Sequence, residues 1–454
     1  MAELTPLDAI GFGASEALAM AAIAPDALQT RLAQLHGSTL AALLLDCQND
    51  EERLRLLACI PDDQRGETLL ELPEPMQESL LAALHPAQIE EVVEHLDSDD
   101  AADLLQAIDP DIADRVIERL ERDEQRELKT LLNHDEESAG GLMQAELFKV
   151  RDDWNVGKVL EVLRRWGREI ENLSYIYVVD DDGRYCGALP LQELLFCQPE
   201  QPIMDVADRN FPVAYAGQDQ EAVARIFEQY DVLALPVLDK ERVLIGRITA
   251  DDILDVVQEE ATEDMFRLAG LSEDDDLAES VRTTVWRRGV WLFVNLLTAI
   301  LASFVVSRFE ETLTAIVALA VLMPIVAGMG GNAGTQTLTV VVRGIALGQV
   351  TFGNARRVLI KQVLVGTING AAFGLVMGAV ASLWFPALGW MLGLVIGLAM
   401  LTNMCAAGLF GALIPLTLRR LDIDPALASA IFVTTVTDVV GFATFLGLGT
   451  LFLL

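Results

Sequence analysis

The sequence has few cysteines and histidines, and neither residue is spaced as in a metal site. No CxxC pair or other metal-ligand spacing occurs among the five cysteines, which are Cys47, Cys59, Cys186, Cys197 and Cys405. Their odd number fits small buried side chains in a reducing cytosol better than a disulfide framework. The first residues also lack the basic and apolar segments of a secretory signal, so we expect the amino-terminal half to stay in the cytoplasm.

Acidic residues become scarce after residue 280. Residues 281–454 carry ten lysines and arginines against five acids, so the net charge is −41 on the first 280 residues and +5 on the rest. A charge of −41 repels nucleic acid and anionic lipid, whereas it attracts small cations. The composition therefore excludes nucleic-acid binding and predicts an acidic soluble half joined to a membrane half.

A twelve-residue repeat runs from about residue 72 to residue 132. Apolar residues recur at this period, at Leu84, Leu96, Ile108, Leu120 and Leu132. Each repeat opens with Asp or Pro, which suit the first turn of a helix, and continues with an apolar stripe at helical spacing. We therefore predict a cytoplasmic α-solenoid of short helix pairs over residues 1–138, with an irregular helical bundle as the alternative.

Two tandem units follow, each with strands beside a helix. The first contains the strands around YIYVVDDDGRYCGALP, with Asp-Gly at 182–183 as a hairpin turn, and the second repeats the pattern at LALPVLDKERVLIGRIT. Their spacing of about sixty residues is similar to that of a pair of CBS modules. We predict a tandem CBS (α+β) pair over residues 139–260 and a coupling helix over 261–285, for which a solvated linker helix is the alternative.

Uncharged stretches predict a bundle of five transmembrane helices over residues 286–454. The first two spans are residues 289–307 and about 313–329. Two more lie within the 57 uncharged residues 362–418, separated by the turn at 385–390. The fifth begins near residue 426. Basic residues concentrate in the loops after the second and fourth spans. The positive-inside rule then places the amino terminus in the cytoplasm and the carboxyl terminus outside.

Asp438 is the only ionisable side chain between Pro425 and Leu454. A carboxylate near the centre of a membrane helix costs roughly 2.5–3.5 kcal/mol on insertion scales, so it must face protein, water or a cation. Thr434 and Ala430 precede it by one and two helical turns and lie on the same face. We interpret Asp438 as a functional site.

A glycine-rich stretch ends the second predicted span. Pro324 and four glycines lie close to Asn332 and to several threonines in MPIVAGMGGNAGTQT. Irregular backbone at membrane depth persists only where it is buried in protein or lines a water-filled cavity. We expect such a cavity here, and close helix packing by small residues is the alternative.

Three segments resemble the MgtE-type magnesium channels. They are GMGGNAGTQTLTVVVRGIALGQ (328–349), DPALASAIFVTTVTDVVG (424–441) and GRITADDILDVVQEEATED (246–264). The order of helical domain, CBS pair, linker helix and five spans also matches. The resemblance implies a multidomain membrane protein that forms a homodimeric Mg²⁺ channel in the bacterial plasma (inner) membrane. Mg²⁺ keeps most of its water shell and needs only one or two carboxylates, which two chains related by a twofold axis supply.

The resemblance also implies particular site residues. In the pore it implies metal binding at Asp438, Thr434 and Ala430, with Gly330, Gly331 and Asn332 lining the path. In the cytoplasmic half it implies regulatory Mg²⁺ at Asp99, Asp103, Asp231, Asp252, Glu260, Glu263 and Asp264. The second CBS unit also holds Gly246, Thr249 and Asp252 in a GxxTxxD arrangement that often binds an adenosine ribose, so ATP is a possible second ligand.

The same residues leave two other functions open and disfavour a third. A channel that prefers Co²⁺ or Mn²⁺ stays open as an alternative, and so does a CBS-regulated membrane scaffold without transport. An intramembrane hydrolase is disfavoured because the membrane half has no HExxH motif and no serine or cysteine with a histidine partner. It also has one membrane aspartate where an aspartyl mechanism needs two. We therefore expect that the protein is not an enzyme.

Overall fold

The computed structural model describes residues 12–167, 170, 172–271, 281–421, 423–426 and 429–454. The chain forms two compact units, Met1–Glu259 and Glu260–Leu454. The first unit contains the predicted solenoid and both CBS modules, and the second contains the predicted spans.

The first unit begins with a series of short helices of eight to ten residues. They are α1 (Ala14–Ile23), α2 (Pro25–Leu32), α3 (Gly37–Leu45), α4 (Asp50–Leu57), α5 (Asp62–Leu70), α6 (Glu74–Ala83), α7 (Pro86–Val93), α8 (Ser98–Gln106), α9 (Pro110–Ile117) and α10 (Arg122–Leu131). Several start at a capping side chain, as where Asn49 accepts a hydrogen bond from the Glu52 N–H and Asp109 from the Asp111 N–H.

Alternate helices of this series pack against each other. α3 contacts α5, α5 contacts α7, α7 contacts α9, and α8 contacts α10. This two-layered stacking is that of a solenoid, so the predicted architecture is confirmed. The repeat starts at Ala14, well before the twelve-residue period becomes visible in the sequence near residue 72.

Each CBS module contains a three-stranded sheet. In the first, β1 (Lys149–Arg151) pairs parallel with β2 (Tyr175–Val179), which pairs antiparallel with β3 (Tyr185–Pro190). The second repeats this order with β4 (Ala214–Tyr215), β5 (Ala234–Leu238) and β6 (Leu244–Thr249). The helices α11 (Val156–Trp166), α12 (Ile203–Val206) and α13 (Gln220–Tyr230) accompany the sheets, with a 3₁₀ helix at Leu191–Phe196. The equivalent sheets confirm the tandem prediction.

One apolar core joins the solenoid to the second CBS module. It includes Leu105 and Leu128 from the solenoid and Val223, Phe227 and Ile253 from the module, all buried. Burial of each such side chain stabilises the fold by about 1.5–3 kcal/mol. The solenoid and the second module are therefore one packed body, which brings their acidic side chains close together.

The second unit consists of long helices and one short one. α14 (Ala250–Ala269) starts in the second CBS module and runs into this unit. It is followed by α15 (Val281–Ser307), α16 (Glu310–Ala315), α17 (Val317–Ala346), α18 (Ala355–Trp384), α19 (Gly389–Arg420) and α20 (Ser429–Leu453). Among the described residues, five of these helices are long and apolar enough to cross a membrane, which confirms the predicted number of spans.

The prediction of irregular backbone in the glycine-rich stretch is wrong. α17 is a continuous helix from Val317 to Ala346 that contains Pro324. The glycines serve close packing instead: a Cβ on Gly334 would lie 2.5 Å from the Val433 side chain on α20. Small residues let helix backbones approach in lipid, and this contact energy favours the regular helix. The alternative of close packing by small residues is therefore the correct one.

A second glycine stripe joins α18 and α19. Gly366, Gly370, Gly374 and Gly378 recur every four residues along one face of α18 and are buried there. A Cβ on Gly378 would lie 2.7 Å from the carbonyl oxygen of Gly393. The two backbones are thus in direct contact, as small residues allow in membrane helices.

Candidate functional site

The membrane aspartate lies on α20 with the two residues predicted beside it. Asp438 is half-buried and Thr434 is exposed. The Thr434 hydroxyl donates a hydrogen bond to the Ala430 carbonyl oxygen at 2.8 Å. Since that bond uses the hydroxyl proton, the lone pairs of the Thr434 oxygen remain available to accept hydrogen bonds from water. The three residues therefore form a line of oxygen acceptors over two helical turns.

The predicted pore-lining residues of α17 fall into two groups. Asn332 is exposed, and a Cβ built on Gly331 would meet no other described atom within 4 Å, so both lie on an open face. Gly330 is buried and instead packs against Asn403 of α19, where its Cβ would lie 2.1 Å from Asn403 Nδ2. Gly330 thus faces a helix contact and not the open face.

A cluster of carboxylates lies where α8 of the solenoid approaches the start of α14. Burial raises the pKa of Asp100 to about 7 and the pKa of Asp103 to about 6, and the charge of Asp252 adds to both shifts. Burial and the charge of Asp252 also hold the pKa of Asp99 well above its usual range. Asp103 keeps an exposed surface, so solvent moderates its shift. The charges of these carboxylates therefore raise one another's pKa.

Two contacts define how this cluster is built. The Thr249 hydroxyl and backbone N–H both donate to Asp252 Oδ2, at 2.5 and 3.1 Å, so Asp252 caps the first turn of α14. Asp99 is 5% exposed, and its Oδ1 has no hydrogen-bond partner within the described part of the chain. A buried carboxylate oxygen without a donor is costly to ionise, and a cation beside it would relieve that cost.

The described side chains of the cluster do not converge on one point as a preformed set of three metal ligands. Mg²⁺ does not require such a set, because it usually binds one or two carboxylates and keeps several waters. The unpartnered Asp99 oxygen and the raised pKa values show that these buried carboxyl groups are costly to ionise without a compensating cation. The donor chemistry therefore fits a hydrated divalent cation.

A second group of charges lies at the end of α14, in the membrane unit. Arg267 forms an ion pair with Glu263 and another with Asp424, the latter at 2.7 Å between Nη1 and Oδ2. Burial raises the pKa of Asp264 to about 6, assisted by the charges of Asp424 and Glu260. The structure therefore brings together the predicted residues Glu260, Glu263 and Asp264.

Three residues of these groups were missed by the sequence analysis. Asp100 could have been found from the acidic run DSDD at 97–100, and Asp424 from its place in a segment that carries the family resemblance. No sequence pattern indicates a role for Arg267, since a single cation on an acidic helix is typical of a solvated side chain. Conversely, Asp231 is exposed at the left-handed end of α13, and it does not contribute to the pKa shifts described above.

The residues predicted to bind nucleotide lie against other parts of the chain. A Cβ on Gly246 would lie 2.7 Å from the Gln144 carbonyl oxygen, and Thr249 is 1% exposed. An open cavity of about 460 Å³ is lined instead by the first module together with Leu233 of the second. Its wall includes Leu160, Tyr175, Pro190, Leu194 and Leu233.

Comparison with protein families covers most of the chain. A family model described as MgtE, divalent cation transporter, matches residues 323–448. The MgtE intracellular N domain matches residues 35–137, and the CBS domain matches residues 139–200 and 203–259. The matches follow the order of solenoid, CBS pair and membrane bundle seen in the structure.

Individual relatives are similar over long stretches. The chain is 36% identical over 330 residues to the magnesium transporter MgtE of Thermus thermophilus, with 72% of each chain covered. It is 31% identical over 404 residues to the protein of the same name from Bacillus subtilis, with 89% of each covered. Among solved structures, the cytosolic domain of the Mg²⁺ channel MgtE in complex with ATP has 35% identity and a TM-score of 0.50. That match covers 53% of this chain and 99% of the solved one.

Proposed function

Because the chain belongs to the MgtE family of divalent cation transporters, we propose that it is a homodimeric channel that carries Mg²⁺ across the bacterial plasma membrane. Mg²⁺ bound by the acidic cytoplasmic half controls its opening. The observation that carries the proposal is the polar face at Asp438, Thr434 and Ala430, which lies at membrane depth on α20.

The exposure of this face supports a dimer. A half-buried aspartate with an exposed threonine cannot face hydrocarbon without a large cost in free energy. Covering the face with a second copy of the chain removes it from lipid and brings two Asp438 carboxylates together. Two carboxylates and a set of hydroxyl and carbonyl oxygens then hold a hydrated Mg²⁺ through its waters.

The pore assignment is tested by Mg²⁺ uptake into liposomes that contain the purified protein. Asp438→Ala should abolish uptake while the dimer stays folded. Thr434→Val should lower uptake, and the matched control Thr435→Val should not. Thr435 also donates to the carbonyl oxygen four residues earlier, but its side chain lies about 100° further round the helix. Normal uptake by Asp438→Ala would disprove the assignment.

The regulatory proposal concerns the carboxylate clusters of the cytoplasmic half. At low Mg²⁺ their charges repel one another, and Mg²⁺ bound by Asp99, Asp100, Asp103 and Asp252 favours a compact arrangement. By linkage, the compact state binds Mg²⁺ more tightly. In this arrangement α14 closes the cytoplasmic mouth of the pore, so plentiful internal Mg²⁺ stops further uptake.

Gating is tested by limited proteolysis between α14 and α15, with and without millimolar Mg²⁺. Mg²⁺ should slow cleavage of the wild type. The test variant combines four substitutions, Asp252→Asn, Glu260→Gln, Glu263→Gln and Asp264→Asn. It should be cleaved at the same rate with and without Mg²⁺, and it should stay conductive at high Mg²⁺. The control neutralises four exposed acids of the solenoid: Asp63→Asn, Asp111→Asn, Asp114→Asn, Glu118→Gln. Mg²⁺-independent cleavage of the wild type would contradict this mechanism.

The choice of ion follows from the donor atoms. The proposed pore site offers carboxylate, hydroxyl and carbonyl oxygens, which suit Mg²⁺ and Mn²⁺, whereas softer ions prefer nitrogen or sulfur ligands. Uptake of Mg²⁺ in competition with Mn²⁺ and Co²⁺ separates the proposal from a channel that prefers either competitor. Absence of any uptake by the wild type would favour the membrane scaffold.

We propose that a nucleotide binds, as an additional ligand, in the cavity lined by the first CBS module and Leu233 of the second. Its mostly apolar wall, which includes Tyr175 and Leu233, suits an adenine base. The solved relative that contains ATP supports this ligand class. Leu233→Glu should then weaken ATP binding measured by calorimetry more than Thr249→Val does. The reverse order would favour the GxxTxxD residues.

A further inference from the structure

Asn403 is a fully buried amide at the point where α17, α19 and α20 meet. Its exposed fraction is 0%, and its Nδ2 donates a hydrogen bond to the Val326 carbonyl oxygen on α17 at 2.9 Å. Within the described residues its Oδ1 has no hydrogen-bond partner. A buried polar side chain at membrane depth is costly, so an apolar residue would serve better if filling space were the only task.

Glycines on the two neighbouring helices enclose this amide. A Cβ on Gly330 of α17 would lie 2.1 Å from Asn403 Nδ2, and a Cβ on Gly441 of α20 would lie 2.6 Å from it. Both helices therefore approach the side chain at distances that exclude any side chain of their own. The spacing of α17 and α20 at this depth is set by one amide of α19.

The hydrogen bond reaches α17 near its weakest turn. Pro324 has no N–H, so the carbonyl oxygen four residues earlier lacks its helical donor. Val326 lies two residues after this proline. The Asn403 amide thus ties α17 to α19 just beyond the turn that the proline weakens, and this bond resists rotation of α17.

The same amide packs against both helices that carry the proposed ion site. Gly441 follows Asp438 by three residues, about one helical turn, and Gly330 precedes Asn332 by two. Resting on the proposed pore function, we propose that Asn403 is a positioning residue of the conduction site. It fixes the rotation of α17 and α20, and so the distance and angle at which Asp438 and Asn332 meet the hydrated ion, although it does not touch the ion.

The test separates the hydrogen bond from simple packing. Asn403→Ala removes both the amide and its volume. The double variant Asn403→Ala with Gly330→Ala places a methyl group where the amide was, so it restores part of the volume but not the hydrogen bond. The full-length variants are purified as dimers, and liposome uptake of Mg²⁺ and Ca²⁺ is measured for each. Ca²⁺ is the informative competitor because it is larger and accepts flexible coordination, while Mg²⁺ demands near-ideal geometry.

Both variants should remain dimeric, and their Mg²⁺ uptake should fall roughly three- to twentyfold. This factor corresponds to the free energy of one interhelical hydrogen bond in a membrane. Their ratio of Mg²⁺ to Ca²⁺ uptake should fall as well, a change that a general loss of folded protein would not produce. Wild-type uptake and ratio in the double variant would overturn the proposal, since packing would then suffice. Loss of the folded dimer in Asn403→Ala would also overturn it by showing a general structural role.

Asp438→Ala measured in parallel distinguishes failure of the positioning role from failure of the pore assignment. If Asp438→Ala is inactive and Asn403→Ala behaves as wild type, the positioning role is wrong and the pore assignment stands. If Asp438→Ala retains wild-type uptake, the pore assignment itself is wrong.

Discussion

Asp100 should make the stability of the Mg²⁺-free protein depend on pH. Its pKa is raised from 3.8 to about 7, mainly by burial and then by the charge of Asp252. The folded chain therefore holds this proton over a pH range in which the unfolded chain has released it. For a raised carboxyl pKa, stability falls as pH increases from about 3.8 to about 7 and is constant above that range.

The size of the effect follows from the width of this window. Between pH 5 and pH 7 each unit corresponds to about 1.36 kcal/mol, so Asp100 should cost roughly 2–3 kcal/mol of unfolding free energy. Its partial exposure reduces this to about 2 kcal/mol. For a unit of this size the loss corresponds to roughly 4–8 °C in Tm.

The assay is differential scanning of the full-length protein in detergent at pH 5 and pH 8 without Mg²⁺. The difference in Tm between Asp100→Asn and the wild type should grow by that amount toward pH 8, because the amide removes the ionisation. Millimolar Mg²⁺ should stabilise the wild type more at pH 8 than at pH 5, since protons and Mg²⁺ compete for the same carboxylates. The control is Asp114→Asn, an exposed acid on α9. Equal pH dependence in all three proteins would refute the reasoning.

Three other changes test different parts of the structure. Arg267→Gln removes the cation paired with Asp424 and should speed cleavage after α14 in the absence of Mg²⁺; an unchanged cleavage rate would show that the ion pair does not hold α14 in place. Gly378→Leu should prevent folding of the bundle, because its side chain would meet the Gly393 carbonyl, and an intact dimer on size exclusion would contradict the packing argument. A reporter fused after Leu454 should be extracytoplasmic, and a protease-protected cytoplasmic signal would overturn the topology read from loop charges.

The sequence alone was sufficient for the features that depend on local pattern. The shift in charge near residue 280 separates the two halves, and uncharged stretches long enough to span a bilayer give five helices. The twelve-residue period predicts the solenoid because every repeat must bury one apolar stripe. Asp438 stays a prediction of the same kind, because an ionisable side chain in hydrocarbon is costly wherever the helix packs.

Only the tertiary structure decided which side chains meet. Glycine-rich sequence at membrane depth is compatible with a loop or with close packing, and the contacts of Gly334 and Gly330 with α20 and α19 favour the helix. Likewise, the local sequence does not distinguish the burial of Asp100 from that of Asp231. Packing of the solenoid onto the second CBS module buries Asp100 beside Asp252 and leaves Asp231 exposed. The cost of burying a charge depends on neighbours distant along the chain, and no local pattern encodes them.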